Sequence, residues 1–391
     1  MQIIGKAFSF YYYCRLKLIF SLVQAINLSK KVEGNASAVT EVILIAVGLF
    51  KINEIRQERM NDVKNQFQAF VLDIVDGKTK MEVKQLSPSD LHTGDVTIKV
   101  QYSSVNFKDG LATIPNQIIQ SYPLIPGIDL AGTVLESKDE RFSEGDEVIV
   151  TSYELGVSHH GGFSELARVP AKWVVPLPEG LTLKEAMTIG TAGFTAALSI
   201  QRLEENGLTP DQGPVLVTGA TGGVGSLAVD MLAKLGYEVT ASTGKEEEHD
   251  YLRQLGASTV LHRNDLVAED KKVLRKQLFS AAVDPVGGKT LEFVLASLKY
   301  GGSVANSGLT GGTKVEATVF PFILRGVNWL GIDSVYCPMN TRVKVWDRLA
   351  TDLKPVHLNH EVVTEVSLDQ LPEVLDKIVA GSVRGRTIVK L

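Results

Sequence analysis

Cysteine is almost missing from this chain: Cys14 and Cys337 are the only ones in 391 residues. Two thiols cannot build a disulfide framework or a cysteine-rich zinc site, so the chemistry must come from a cofactor or from ordinary side chains. No block of lysine or arginine stands out and the net charge is −5, which leaves no electrostatic footprint for nucleic acid. No apolar run reaches the roughly 18–20 residues of a spanning helix; Leu18–Ile26 and Val42–Phe50 are too short. Internal repeats and low-complexity segments are also missing. With 44% hydrophobic and 22% charged residues, the chain has the composition of an ordinary soluble protein, long enough for two domains.

What is present centres on Val215–Lys245. The apolar run Val215–Thr218 predicts a buried strand, Gly219–Gly225 a glycine turn, Ser226–Leu235 a helix, and Val239–Ala241 a second strand. This is the first half of a dinucleotide-binding unit, a doubly wound parallel-sheet domain of Rossmann type. Ala220 stands where the usual fingerprint has its first glycine. Thr221, Gly222, Gly223 and Val224 are expected to bring backbone N–H groups and a helix N-terminus to a pyrophosphate, with Gly225 allowing close helix–strand packing. An NAD site usually carries a carboxylate about 20 residues on, for the ribose hydroxyls. Here the strand ends in Ser242, Thr243, Gly244 and Lys245, with no carboxylate before Glu246. Hydroxyls and a cation suit a 2′-phosphate, so NADPH is the expected cofactor.

Residues 1–59 read differently from the rest. They are expected to be an extension outside the native fold, translated from an over-extended gene, with Met60 as the native start; a membrane-associated amphipathic anchor is the alternative. From Asn65 the pattern becomes β-rich: Phe67–Val75 and Asp95–Val105 alternate, and glycine turns feed further strands through Val175. At Thr182 the period changes, with Glu185 three residues on completing a capping box. Strands are expected at Thr259–Leu261, Ala281–Val283, Gly302–Ser307 and Trp329–Ile332, then a helix near Leu371–Val379 and a last strand Thr387–Leu391.

Four ordered stretches carry a resemblance: Ser103–Asp109, Pro126–Gly132, Ile189–Ala196 and Pro321–Gly326. With the dinucleotide unit they make the chain, from about Phe67 onward, similar to the zinc-free quinone oxidoreductase branch of the medium-chain dehydrogenase/reductase superfamily. The likeness is to the YhdH/YhfP type, relatives of acryloyl-CoA reductase. The resemblance implies a GroES-like β-barrel catalytic domain in 60–188 and 325–391 and a Rossmann NADPH-binding domain in 189–324, in a cytoplasmic enzyme that forms dimers in some relatives. Zinc-dependent relatives have cysteine at the position of Asn106 and His-Glu at that of Ile128-Asp129, so no metal is expected. The implied reaction is hydride transfer to a double bond conjugated to a carbonyl, in an acryloyl-CoA-like thioester or an enone. An NADPH:quinone oxidoreductase and a non-catalytic NADPH-binding sensor are the alternatives.

By the same resemblance Asn106 and Asp129 are the catalytic residues, Asn106 donating to a carbonyl oxygen. Thr191 and Thr195 lie near the nicotinamide and phosphates, Gly308-Leu309 faces the carboxamide, and Arg263 helps hold the 2′-phosphate. Relatives often have tyrosine where Phe107 stands, which leaves the proton donor open, with Tyr102, Tyr153 or water as candidates. Lys108 and Arg325 are candidate cations for a phosphorylated substrate. His159-His160, in a glycine-flanked loop, reads as solvated.

Overall fold

A computed structural model describes residues 66–267, 272–358 and 362–391. The expected extension, 1–59, and the expected start at Met60 lie outside the described residues.

The described residues open with a hairpin, β1 (Phe67–Val75) and β2 (Lys78–Leu86), paired in register from Phe67↔Leu86 to Val75↔Lys78. Asp76 and Gly77 form the two-residue turn, both at positive φ (51° and 75°), as the right-handed twist of a tight hairpin demands. Then come β3 (Val96–Val105), α1 (Phe107–Ala112), β4 (Asp129–Ser137), β5 (Glu147–Thr151), β6 (Leu166–Val169) and β7 (Val174–Pro176). They form most of a seven-stranded sheet whose order is completed by strands from the far end of the chain.

The bridge between the two halves is α2 (Leu183–Glu205), begun by the Thr182–Glu185 capping box and kinked at Gly190. Its Ala192–Ile200 stretch is buried almost all round, because α2 lies against β3, β4 and β5 on one side and the second sheet on the other.

That second sheet contains β8 (Val215–Val217), α3 (Gly223–Lys234), β9 (Val239–Thr243), α4 (His249–Gln254), β10 (Thr259–His262), β11 (Phe279–Asp284), α5 (Gly288–Ser297), β12 (Leu298–Asn306), α6 (Phe320–Arg325) and β13 (Asn328–Gly331). Its strands are all parallel, in the order β10-β9-β8-β11-β12-β13. Winding runs outward in both directions from β8 and β11, so the crevice at their carboxyl ends is the topological switch point where such sheets bind ligands. The sheet continues past residue 324, where the sequence reading ended the nucleotide domain, because β13 pairs with β12 from Ser303↔Asn328 to Asn306↔Gly331.

The return segment holds α7 (Met339–Ala350), β14 (Val363–Val366), α8 (Leu371–Val379) and β15 (Arg386–Lys390). β15 pairs with β14 on one side and β3 on the other, so the last strand is interior to the first sheet. No described helix is long and apolar enough to cross a membrane.

Candidate active site

Two glycine conformations shape the nucleotide crevice. Gly219 (φ 54°) turns the chain out of β8, and Gly222 is the N-cap of α3 without any side-chain cap, so the first N–H groups of that helix stay available. A Cβ on Gly225 would lie 2.4 Å from Gly219 O, which is why the helix can begin this close to the turn. Above Gly222 the nearest atom to an added Cβ is 3.4 Å away. Thr221 is buried, its Oγ1 3.4 Å from Thr243 Oγ1, and its carbonyl accepts Gly385 N–H at 3.0 Å. Val224 is half-buried against the core.

At the end of β9, Ser242 and Thr243 are buried and Thr243 Oγ1 accepts Lys245 N–H at 3.2 Å. Lys245 Nζ reaches Val383 O at 3.3 Å, and the Arg263 guanidinium covers Gly244, where a Cβ would come within 2.0 Å of Nε. Ser242, Thr243, Lys245 and Arg263 thus converge on one turn. That donor set fits a phosphate beyond the ribose better than a ribose diol alone.

Asp284, at the carboxyl end of β11, was not singled out in the sequence. It is fully buried; Oδ1 accepts Thr218 Oγ1 (2.5 Å) and Val286 N–H (3.2 Å), and Oδ2 accepts Gly287 N–H and Asn306 Nδ2, both at 3.0 Å. The residue ties together the ends of β8, β11 and β12. Burial, the largest influence, pushes its carboxyl up against the effect of these donors. Beside it is a cavity of about 530 Å³ lined by Gly287, Asn306, Gly308, Leu309, Trp329 and Ile332 among others, so Gly308-Leu309 faces open space.

The second part of the site is built around Asp129, at the start of β4 and fully buried. Oδ2 accepts Ser104 Oγ (2.6 Å), Asn106 Nδ2 (2.8 Å) and Thr191 N–H (2.8 Å), and Oδ1 accepts Thr191 Oγ1 (2.5 Å). Thr191 can offer its backbone N–H because Gly190, at φ 51° and ψ −160°, breaks the helix one residue earlier. Ser152 Oγ lies 3.0 Å from Thr191 Oγ1. Four donors thus converge on one buried carboxylate. Asn106 and Asp129 are therefore brought together as expected, but both Asn106 amide hydrogens turn inward, the second towards Ser104 O at 3.3 Å. The expected donation from Asn106 to a substrate oxygen is not the arrangement present. Thr195 Oγ1 likewise is spent on Thr191 O at 2.7 Å.

Two further buried groups support this centre. Asp109 caps α1, accepting Asn106 N–H (2.7 Å) and Ile128 N–H (3.0 Å), and its carboxyl is pushed up to about 7 by burial and then by the charge of Asp129. Arg386, from β15, donates to Thr188 O (2.8 Å) and Val105 O (3.1 Å), and a Cβ on Gly223 would lie 3.0 Å from its Nη1. One guanidinium thus lies between the carboxylates and the start of α3.

Other candidates are placed elsewhere. Arg325 donates to Ala296 O, Leu298 O and Arg275 O, and so closes the α5–β12 junction instead of facing a cleft. Tyr153 stacks on Trp173 (5.7 Å, 6°) beneath Arg342, its hydroxyl 3.5 Å from Cys337 O. His159 and His160 are not solvated: they pack with His92, the His92–His160 rings stacked at 4.0 Å. Among the described residues no three His, Cys, Asp or Glu side chains converge as a metal site.

Residues 92–179 match the family model described as alcohol dehydrogenase GroES-like domain, and 223–351 match that described as zinc-binding dehydrogenase. The putative quinone oxidoreductase YhfP of Bacillus subtilis is 59% identical over 326 residues, 83% of this chain and 99% of that protein. Its structure, solved with NAD bound, superposes with a TM-score of 0.81 at 58% identity, over 83% of this chain and 99% of that one. Acrylyl-CoA reductase AcuI of Ruegeria pomeroyi is 50% identical over 326 residues, 83% of this chain and 98% of that protein. The yhdH oxidoreductase of Salmonella enterica, solved in complex with NADP, is 49% identical with a TM-score of 0.81, covering 83% of this chain and 99% of that one. With a parallel sheet wound about β8 and β11 and relatives this similar over nearly their whole length, the chain belongs to the zinc-free quinone oxidoreductase and acrylyl-CoA reductase branch of the medium-chain dehydrogenase/reductase superfamily.

Proposed function

We propose that the protein is an NADPH-dependent reductase that transfers hydride to a double bond conjugated to a carbonyl, in an acryloyl-CoA-like thioester or a small enone. The observation that carries this reading is the adjacency of a nucleotide crevice with a phosphate-fitting turn to a dry polar centre, joined through Gly190, Gly223 and Arg386. Reduced nicotinamide bound there supplies the hydride. The N–H groups following Thr221, Gly222 and Gly223 hold the pyrophosphate, and Ser242, Thr243, Lys245 and Arg263 hold the 2′-phosphate. Gly308-Leu309 faces the carboxamide, and Asp129 fixes Thr191 and Asn106 beside the ring. The barrel-like half, 60–188 with the return segment, covers the substrate; 189–324 with β13 holds the cofactor.

A quinone acceptor is the second reading, favoured by one observation. Ser104, Asn106 and Thr191 all direct their hydrogens onto Asp129, and Phe107 has no hydroxyl, so none of these four side chains is left to protonate an enolate. The proposal includes a cytoplasmic setting and a homodimer. The edge of β13, unpaired among the described residues, with Trp329, Phe320, Ile323 and Leu324 exposed beside it, suits a second copy of itself.

NADPH consumption by the purified protein, offered acryloyl-CoA and separately a simple quinone, tests the reading. Turnover of the thioester supports the leading reaction and turnover of the quinone alone supports the second. Tight NADPH binding with neither acceptor reduced would refute both and leave a sensor.

A further inference from the structure

Asn106 carries a polar atom that the protein leaves open. Its Oδ1 has no hydrogen-bond partner although the residue is only 7% exposed. The amide cannot simply be turned over, because Oδ1 would then face the carboxylate oxygen that Nδ2 now meets at 2.8 Å. The hydrogens of Ser104 Oγ, Asn106 Nδ2, Thr191 N–H and Thr191 Oγ1 all converge on Asp129. With the Thr191 hydrogen committed, the Ser152 hydroxyl donates in its turn to Thr191 Oγ1. Two buried polar atoms are thus left open here, the second guanidinium nitrogen of Arg386, which needs an acceptor, and Asn106 Oδ1. Buried acceptors are nearly always satisfied, so the missing partner of Oδ1 is a donor.

The chemistry of that donor is narrow. A pyrophosphate, a thioester carbonyl and a quinone offer only acceptors, and the Asp129 charge behind the amide repels the first of these. The inference rests on the cofactor reading above, under which the carboxamide lies at Gly308-Leu309 and the adenine at the far end of the sheet. The nicotinamide-side ribose, with its hydroxyls, is the donor that remains. We infer that Asn106 Oδ1 accepts a hydrogen bond from a hydroxyl of this ribose. Asn106 then sets the position of the nicotinamide ring, and Asp129 acts through it by holding the amide in the accepting orientation.

Calorimetric titration of the full chain tests this without turnover, using NADP+ and its analogues lacking the 2′- or the 3′-hydroxyl on the nicotinamide-side ribose. One analogue is expected to bind the wild type about tenfold more weakly than NADP+. Asn106→Ala should lose a similar factor for NADP+ and no longer distinguish NADP+ from that analogue. Equal binding of NADP+ and both analogues by the wild type overturns the inference, whether or not the variant folds. So does an Asn106→Ala protein that still discriminates as the wild type does. A wild type that binds no dinucleotide overturns the cofactor reading itself, and this inference with it.

Discussion

Replacing Gly190 by alanine should be among the most damaging single-methyl additions in this protein. The backbone there, φ 51° and ψ −160°, falls near a region essentially reserved for glycine, and holding another residue in it costs about 1–3 kcal/mol. The added Cβ would also lie 2.5 Å from Ser104 Oγ and 2.8 Å from both Arg386 Nη2 and Asp129 Oδ2. Those residues are at most 2% exposed, so none can swing into solvent. Relief requires moving Asp129 off at least one of its donors, and a lost hydrogen bond to a charged group is worth roughly 1.5–3 kcal/mol. Together the effects come to about 3–6 kcal/mol, a large part of the 5–15 kcal/mol that typically holds a domain together. Urea unfolding followed by far-ultraviolet circular dichroism measures it, with Gly236→Ala as the control. Gly236 also has positive φ (83°) but nothing within 4 Å of an added Cβ, so only the backbone penalty of about 1 kcal/mol applies. Equal losses for the two variants would refute the packing argument.

Arg263→Ala should lower the preference for NADPH over NADH by about tenfold, the worth of one charge-assisted bond to phosphate, read from the ratio of dissociation constants. One buried and one half-buried group should give the stability opposite pH dependences. Asp109 holds its proton up to about 7 when folded, against 3.8, so its contribution is whole below 3.8 and is lost as pH rises through 7. His160, lowered from 6.5 to about 4 by burial and then by His92 and His159, contributes fully above 6.5 and loses that as pH falls through 4. Urea midpoints between pH 4 and 7 should therefore rise more steeply with pH in Asp109→Asn than in wild type and less steeply in His160→Asn; matching slopes would count against both assignments. Arg342→Met should cost about 3 kcal/mol, because it strands the carbonyls of Thr151 and Ser334 and removes a cation packed on Tyr153 and Phe194. Chemical denaturation reads that loss.

The centre of the doubly wound sheet was legible because β8, β9 and β11 are short runs buried on both faces, which leaves no polar alternation to confuse. The opening hairpin was only half read. β2 carries Lys78, Lys80, Glu82 and Lys84 on a strand mostly half-buried, and its signal was the Asp76-Gly77 turn, not its hydrophobicity. In α7 the buried stripe is Arg342, Val345, Trp346 and Leu349, at helical spacing, but an arginine in first place hides it from any count of apolar residues. At the site, residue types could bring Asn106 to Asp129. They could not say which way the amide faces, because that depends on Ser104 and Thr191 having already saturated the same carboxylate. Arg386 was missed for a related reason: its role depends on a strand pairing across the whole chain, which no local pattern encodes.

The three tryptophans occupy three different environments. Trp346 is wholly buried against Phe194, Trp173 is stacked on Tyr153, and Trp329 is 42% exposed on the wall of the cavity beside Gly308-Leu309. Indole emission overlaps the absorption of reduced but not oxidised nicotinamide, so the tryptophan emission of the protein should fall when the reduced cofactor binds and recover on hydride transfer. Phenylalanine at position 329 would show how much of that signal comes from the indole on the cavity wall and how much from the two buried ones.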